Sequence, residues 1–373
     1  MMAASDEHKP VPIWRSEISL AFLLGCLAVF VLFPGSWSAE PALAPTRSVC
    51  VFLALLVIVG WGAFAVLRHA EVLAHLLGQP LGTLILTLSV ILIEVAMIVA
   101  LLLTGPANPA VARDTMFAVL MIVLNGLVGV CLLLGGIRHS QPSINLQGSG
   151  AFLAVLIVLG LISLVLPTAT ESKPGGEASL ALSIYLIATS VVAYGVFLFV
   201  QTGRYRGWFQ DVGDEAPHEL HFQVRSIRVH AILLVGHLVP IVLLAKQMAT
   251  FVDAGIYSAG LPPALGGVVI ALIVLSPEAM VAIRAARQNL MQQSVNICLG
   301  SGLATIGLTV PSVLSVAFIT GVTIELGLEL WDIVLLVTTF LLSMQTFGSA
   351  RTNYLQGVLH LVLFGAYVVL IFE

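Results

Sequence analysis

Two glutamates stand where a carboxylate is hardest to keep. Glu94 lies in LGTLILTLSVILIEVAM (81–97) and Glu278 in LGGVVIALIVLSPEAMV (265–281), each twelve residues beyond a Leu-Gly pair inside an apolar run. At 1.5 Å per residue a helical run of that length carries the acid about 18 Å in, near the middle of a bilayer. A charged carboxylate costs about 2.5–3.5 kcal/mol there, so its presence asks for a counter-ion or a proton. Two ionised glutamates neutralise one divalent cation, and oxygen donors suit a hard ion such as Ca2+, which takes six to eight of them. Without the ion, desolvation and mutual repulsion make protonation the cheaper state. A cation and about two protons then compete for one site, and alternating access turns that competition into antiport. The plainer alternative is a pair of neutral glutamates that bridge helices.

Oxygen-bearing neighbours extend the candidate site. Thr83, Thr87 and Glu94 share one helix face, while Gly267, Ala271 and Glu278 take the same spacing on the other acid-bearing segment. Small residues there let another helix approach closely. Ser276 precedes Pro277, which lacks an N–H and so frees a carbonyl one turn earlier. Asn125 in VLNGLVG, and Ser301 and Thr305 in LGSGLATIG, complete the candidate cation- and proton-binding set, with Glu94 and Glu278 as its metal-binding carboxylates.

The two acid segments align without a gap, matching the Leu-Gly start, Leu88 with Leu272, Val90 with Val274, and the acids themselves. Asn125-Gly-Leu and Ser301-Gly-Leu align as a further pair. Such internal duplication is the inverted-repeat plan of secondary transporters, whose ion site lies where the repeats meet.

The elements that position these residues follow from hydropathy. Of 373 residues 59% are hydrophobic and only 9% charged, against roughly a quarter charged in soluble domains. That excludes a soluble enzyme, and no basic patch or tail suggests nucleic acid. Apolar runs near 17–34, 48–67, 82–104, 113–137, 150–167, 178–201, 229–250, 261–283, 292–319, 328–345 and 353–371 predict an all-α polytopic membrane protein of about eleven transmembrane helices. Runs 113–137 and 292–319 exceed what a straight span needs, so each should tilt or break.

The expected division is an N-terminal tail and first helix over 1–47, a five-helix repeat over 48–201, a cytoplasmic linker over 202–228, and a second, inverted five-helix repeat over 229–373. With the N-terminus in the cytoplasm, only Arg47, Arg113, Lys173 and Lys246 face outward and every other lysine and arginine falls inside, as the positive-inside rule asks. The first span is expected to be retained rather than cleaved, since Asp6 and Glu7 dilute its basic flank. The compact design points to a bacterial inner membrane. Cys26, Cys50, Cys131 and Cys298 show no zinc or disulfide spacing.

At the residues GTLILTLSVILIEVAMI (82–98), VLNGLVGVCLLLGG (123–136) and SVNICLGSGLATIGLTVPSV (294–313) the sequence resembles the calcium/cation antiporter superfamily, and within it the bacterial ChaA-type Ca2+/H+ antiporters. The resemblance implies Ca2+/H+ exchange, with Na+/H+ and K+/H+ exchange also known in the family, and carries its acidic ligands onto Glu94 and Glu278. One departure is plain: the wider superfamily favours a GN–E pattern, where VILIE and VLSPE stand here.

Weaker signals read more blandly. Asp214, Glu215, His218 and Glu219 form a solvated linker, with a low-affinity cation patch as the alternative reading. His230 and His237, seven apart on one face, are expected to be hydrogen-bonded packing residues, with a proton relay as the alternative. GSG at 300–302 lacks the Walker lysine, so neither ATP nor another cofactor is expected. The rival functions are an Na+/H+ or K+/H+ antiporter on the same scaffold and an intramembrane lipid-phosphate hydrolase. The hydrolase would want an arginine or histidine cluster near the acids, and neither span core has one. HExxH is absent as well.

Overall fold

A computed structural model describes residues 16–33, 45–78, 81–104, 109–171, 173, 175–210 and 225–373. The described chain is built of helices in the order α1 (Ile18–Leu32), α2 (Pro45–Leu77), α3 (Leu81–Thr104), α4 (Val111–His139), α5 (Leu146–Leu164), α6 (Leu180–Thr202), α7 (Ile227–Ala259), α8 (Ala264–Arg287), α9 (Met291–Thr320), α10 (Leu330–Phe347) and α11 (Tyr354–Leu370). Its only extended pairings, among the described residues, are two isolated bridges, Ser143 with Arg351 and Glu177 with Glu325.

Eight of these helices are long and apolar enough to cross a membrane: α2 and α4 to α10. α3 adds 24 residues of LGTLILTLSVILIEVAMIVALLLT, while α1 and α11 are apolar but shorter, at 15 and 17 residues. Phe199, Ile232, Ile319 and Leu341 are exposed on outward faces. Apolar exposure on that scale suits lipid rather than water.

Local sequence sets most boundaries. Asn145 caps α5 by accepting from the Gln147 and Gly148 amides, and Asn353 opens α11 with a reciprocal capping box to Gln356. Gly260 and Gly321 end α7 and α9 in left-handed conformations (φ 63° and 72°) that a glycine adopts without strain.

Two departures from the expected spans matter. α2 runs ten residues beyond the expected end at 67, through Arg68, His69 and Glu71, and α7 is likewise 33 residues long. Charge does not stop α2, because the Arg68 guanidinium pairs with Glu17 at the start of α1. The two overlong runs, α4 and α9, are interrupted by π-helical turns at Ile122–Leu127 and Thr305–Thr309. Such turns recur at functional sites.

Packing divides the described core in two. One apolar cluster joins Leu23 of α1, Leu55 and Val59 of α2, and Ile241 and Leu244 of α7. The other joins α4, α5, α9 and α10 through residues such as Leu124, Phe152, Leu303 and Leu336. α3 and α8 belong to both: Ile93 and Ile270 face the first cluster, Ile91 and Ala271 the second. The acid-bearing helices therefore form the seam between two packed bodies. α8 closes on α4 at Gly267, where an added methyl would stand 3.0 Å from the Thr115 backbone.

Candidate functional site

Helical spacing aims both acids at the same neighbour. Glu94 shares its face of α3 with Ile91 and Ile98, and Glu278 shares its face of α8 with Ala271 and Ala282, all members of the second cluster. Across that seam runs α9, whose Ser301, Thr305 and Thr309 follow one another at four-residue spacing. The Ser301 hydroxyl donates to Glu278 Oε2 at 2.7 Å. Thr305 donates to Glu94 Oε2 at 3.0 Å and Thr309 to Glu94 Oε1 at 3.2 Å. One stripe of hydroxyls thus serves both carboxylates. Glu94 is 2% exposed and Glu278 partly buried.

The π-helical turn in α9 spans Thr305 to Thr309, at the place where the stripe passes to Glu94. A π turn widens the helix and changes the direction of the side chains that follow. Thr309 was not singled out from the sequence; its position four residues after Thr305 and eight after Ser301 is the signal that could have found it.

Other candidates are placed elsewhere. Ser276 donates at 2.8 Å to the Ile273 carbonyl, the group that Pro277 leaves without its usual amide. The carbonyl expected to stand free is thereby satisfied, and Ser276 serves the helix rather than the carboxylate. Asn125, on the π turn of α4, donates to Thr339 at 2.8 Å and meets His360 Nδ1 at 3.2 Å, while Thr346 lies 3.0 Å from His360 Nε2. Its amide is thus committed to α10 and α11. Thr87 sits on α3, but its side chain lies outside those described, as do Asp214, Glu215, His218 and Glu219 of the linker.

Asn125-Gly-Leu and Ser301-Gly-Leu, paired in sequence, have different surroundings: Gly126 of α4 faces Phe364 of α11, whereas Gly302 of α9 faces Leu120 and Leu124 of α4. Asn125 turns to α10 and α11, and Ser301 to Glu278.

Comparison with known proteins agrees with this architecture. Residues 47–203 and 229–373 match the family model of the sodium/calcium exchanger protein. The chain is 40% identical over 363 residues to the putative ionic transporter y4hA of Sinorhizobium fredii, covering 96% of each protein. It is 38% identical to the sodium-potassium/proton antiporter ChaA of Escherichia coli, covering 99% of this chain and 100% of that one. In fold it resembles the structure of native YfkE, with a TM-score of 0.72 at 18% identity over 95% of this chain and 99% of that one. The H+/Ca2+ exchanger CAX gives 0.67 at 13% identity, over 95% and 88%.

Proposed function

The chain belongs to the sodium/calcium exchanger protein family, and on that premise we propose that it exchanges Ca2+ for protons by alternating access at Glu94 and Glu278. It is a multi-pass membrane protein and a cation/proton antiporter. The observation that carries the ion assignment is the single hydroxyl stripe on α9 that joins the two carboxylates. The carboxylates offer four oxygens and Ser301, Thr305 and Thr309 three more, a set within the six to eight that Ca2+ takes.

In the empty site each carboxylate takes a proton, so that no net charge is stranded in the membrane. A dehydrating cation displaces both protons, and the hydroxyls that donated to the carboxylates rotate to offer lone pairs to the ion. The seam position of α3 and α8 between two separately packed bodies supports access alternating by movement of one body past the other. We place the protein in a bacterial inner membrane with its N-terminus in the cytoplasm. α2–α6 and α7–α11 form its inverted repeats, a reading supported by the equal 33-residue lengths of α2 and α7 and the equal 24-residue lengths of α3 and α8. The exchange draws on ion gradients alone and needs no cofactor, no ATP and no catalytic step.

A monovalent reading is favoured by one observation, the 38% identity to a protein named as a sodium-potassium/proton antiporter. Collapse of an imposed pH gradient in everted vesicles, followed with a dye while Ca2+, Na+ or K+ is added, separates the two. Ca2+ at micromolar levels should dissipate the gradient; a response to Na+ or K+ with none to Ca2+ would replace Ca2+ as the substrate.

A further inference from the structure

A second group of buried titratable side chains lies far along the chain from the two glutamates, where α1, α2 and α7 meet. Glu17 at the start of α1 accepts from the Arg68 guanidinium and from His69 Nε2, 3.1 Å away. His69 Nδ1 stands 3.0 Å from His230 Nδ1, and His230 Nε2 accepts from the Arg225 backbone N–H at 3.0 Å. His237 places Nδ1 2.8 Å from the Leu233 carbonyl and Nε2 3.0 Å from the Ser19 hydroxyl, with Glu17 Oε2 3.8 Å off. His69 and His237 are 1% and 0% exposed. Among the described residues, Glu17, Arg68, His69, Arg225, His230 and His237 are thus the charged and titratable groups that meet here.

The fixed donors and acceptors settle each tautomer, against one longer contact in which the Arg68 guanidinium lies 3.3 Å from His69 Nε2. An amide N–H can only donate, so His230 carries its hydrogen on Nδ1 and gives it to His69 Nδ1; His69 therefore carries Nε2–H and gives it to Glu17. A carbonyl can only accept, so His237 carries Nδ1–H and its Nε2 accepts from Ser19. An added proton on His69 or His230 would set two donors face to face along a chain anchored by a backbone amide. On His237 Nε2 it meets only a hydroxyl, which turns to accept it, and a carboxylate in reach. A metal ion is a poorer fit: the Glu17, His69 and His237 ligand atoms lie within 4.8 Å of one another, but both ring nitrogens of His69 are already engaged, by His230 and by Glu17.

We propose that this cluster is a proton-binding site separate from Glu94 and Glu278, in which a proton taken up on His237 gives Glu17 Oε2 a third partner beside Arg68 and His69 and clamps the start of α1 to α7. The partly exposed Arg68 side chain marks the edge from which water reaches it. α1, α2 and α7 share one apolar core, so the clamp stiffens a single packed body.

Amide hydrogen exchange of the purified full-length protein tests this, with rates corrected for intrinsic pH dependence. Protection at residues 18–21 should rise about tenfold between pH 8 and pH 5.5, as one added charge-assisted hydrogen bond implies. His237→Gln should abolish the rise, and so should Glu17→Gln, a substitution at the helix end that keeps side-chain size. A Glu94→Gln, Glu278→Gln double variant should retain it. Equal protection at both pH values in the parent, a rise that survives His237→Gln, or its loss in the double variant would overturn the site. A rise seen only with added Zn2+, and removed by a chelator, would overturn it in favour of a metal clamp.

Discussion

Replacing Glu278 with glutamine removes half the negative charge of the proposed site while leaving an oxygen for the Ser301 hydroxyl, now 2.7 Å from Glu278 Oε2. Volume and helix are preserved, so the change tests charge rather than packing. A divalent ion held by Glu94 alone leaves one uncompensated positive charge near mid-membrane, which costs about 3 kcal/mol. At 1.4 kcal/mol per tenfold, the half-saturating Ca2+ concentration should rise by about a hundredfold or more. Glu278→Asp, which keeps the charge on a shorter arm, should retain measurable exchange. The assay is dye-reported collapse of ΔpH in everted vesicles across a Ca2+ titration, with membrane insertion checked by immunoblot. A Glu278→Gln variant whose half-saturation stays within about threefold of the parent would refute the idea that both carboxylates hold the ion.

Thr305→Val deletes the hydroxyl that donates to Glu94 Oε2 in the empty site and turns to face the ion when it binds, so half-saturating Ca2+ should rise about tenfold, the worth of one polar contact to a charged group. Thr338→Val, on the exposed face of α10, should leave it unchanged. Asn125→Leu strips His360 and Thr339 of a buried partner, so thermal stability in detergent should fall by about 1–3 kcal/mol while cation half-saturation holds; the reverse pattern would return Asn125 to the ion site. Because ligand carboxylates must lose their protons to hold a cation, apparent Ca2+ affinity should fall as pH falls, by up to about a hundredfold per pH unit if two protons compete. A slope near zero in equilibrium 45Ca binding would contradict shared occupancy.

Hydropathy alone determined that this chain lives in a bilayer, because no other solvent accepts so many apolar residues with so few charges. Glu94 and Glu278 could be found the same way, since an acid in mid-span is costly enough to stand out against a uniform background. Ser301 and Thr305 were named beside them, but which of the neighbouring oxygens reach the carboxylates could not be separated so. Asn125 and Ser301 look equivalent in sequence, as glycine-leucine neighbours in apolar helices carry little register information. Hydrogen bonds decide it: Asn125 turns to Thr339 and His360, while Ser301, Thr305 and Thr309 of α9 face the carboxylates. Length alone said that α4 and α9 should tilt or break, but the place and kind of the π turns stayed hidden, because an inserted residue leaves no compositional mark. Nor could the sequence join Glu17 to His69 and His237, which lie 52 and 220 residues away along the chain. Periodicity reports which face of one helix is apolar; which helix lies against that face, and hence which polar groups meet, is set by packing between segments distant in the chain.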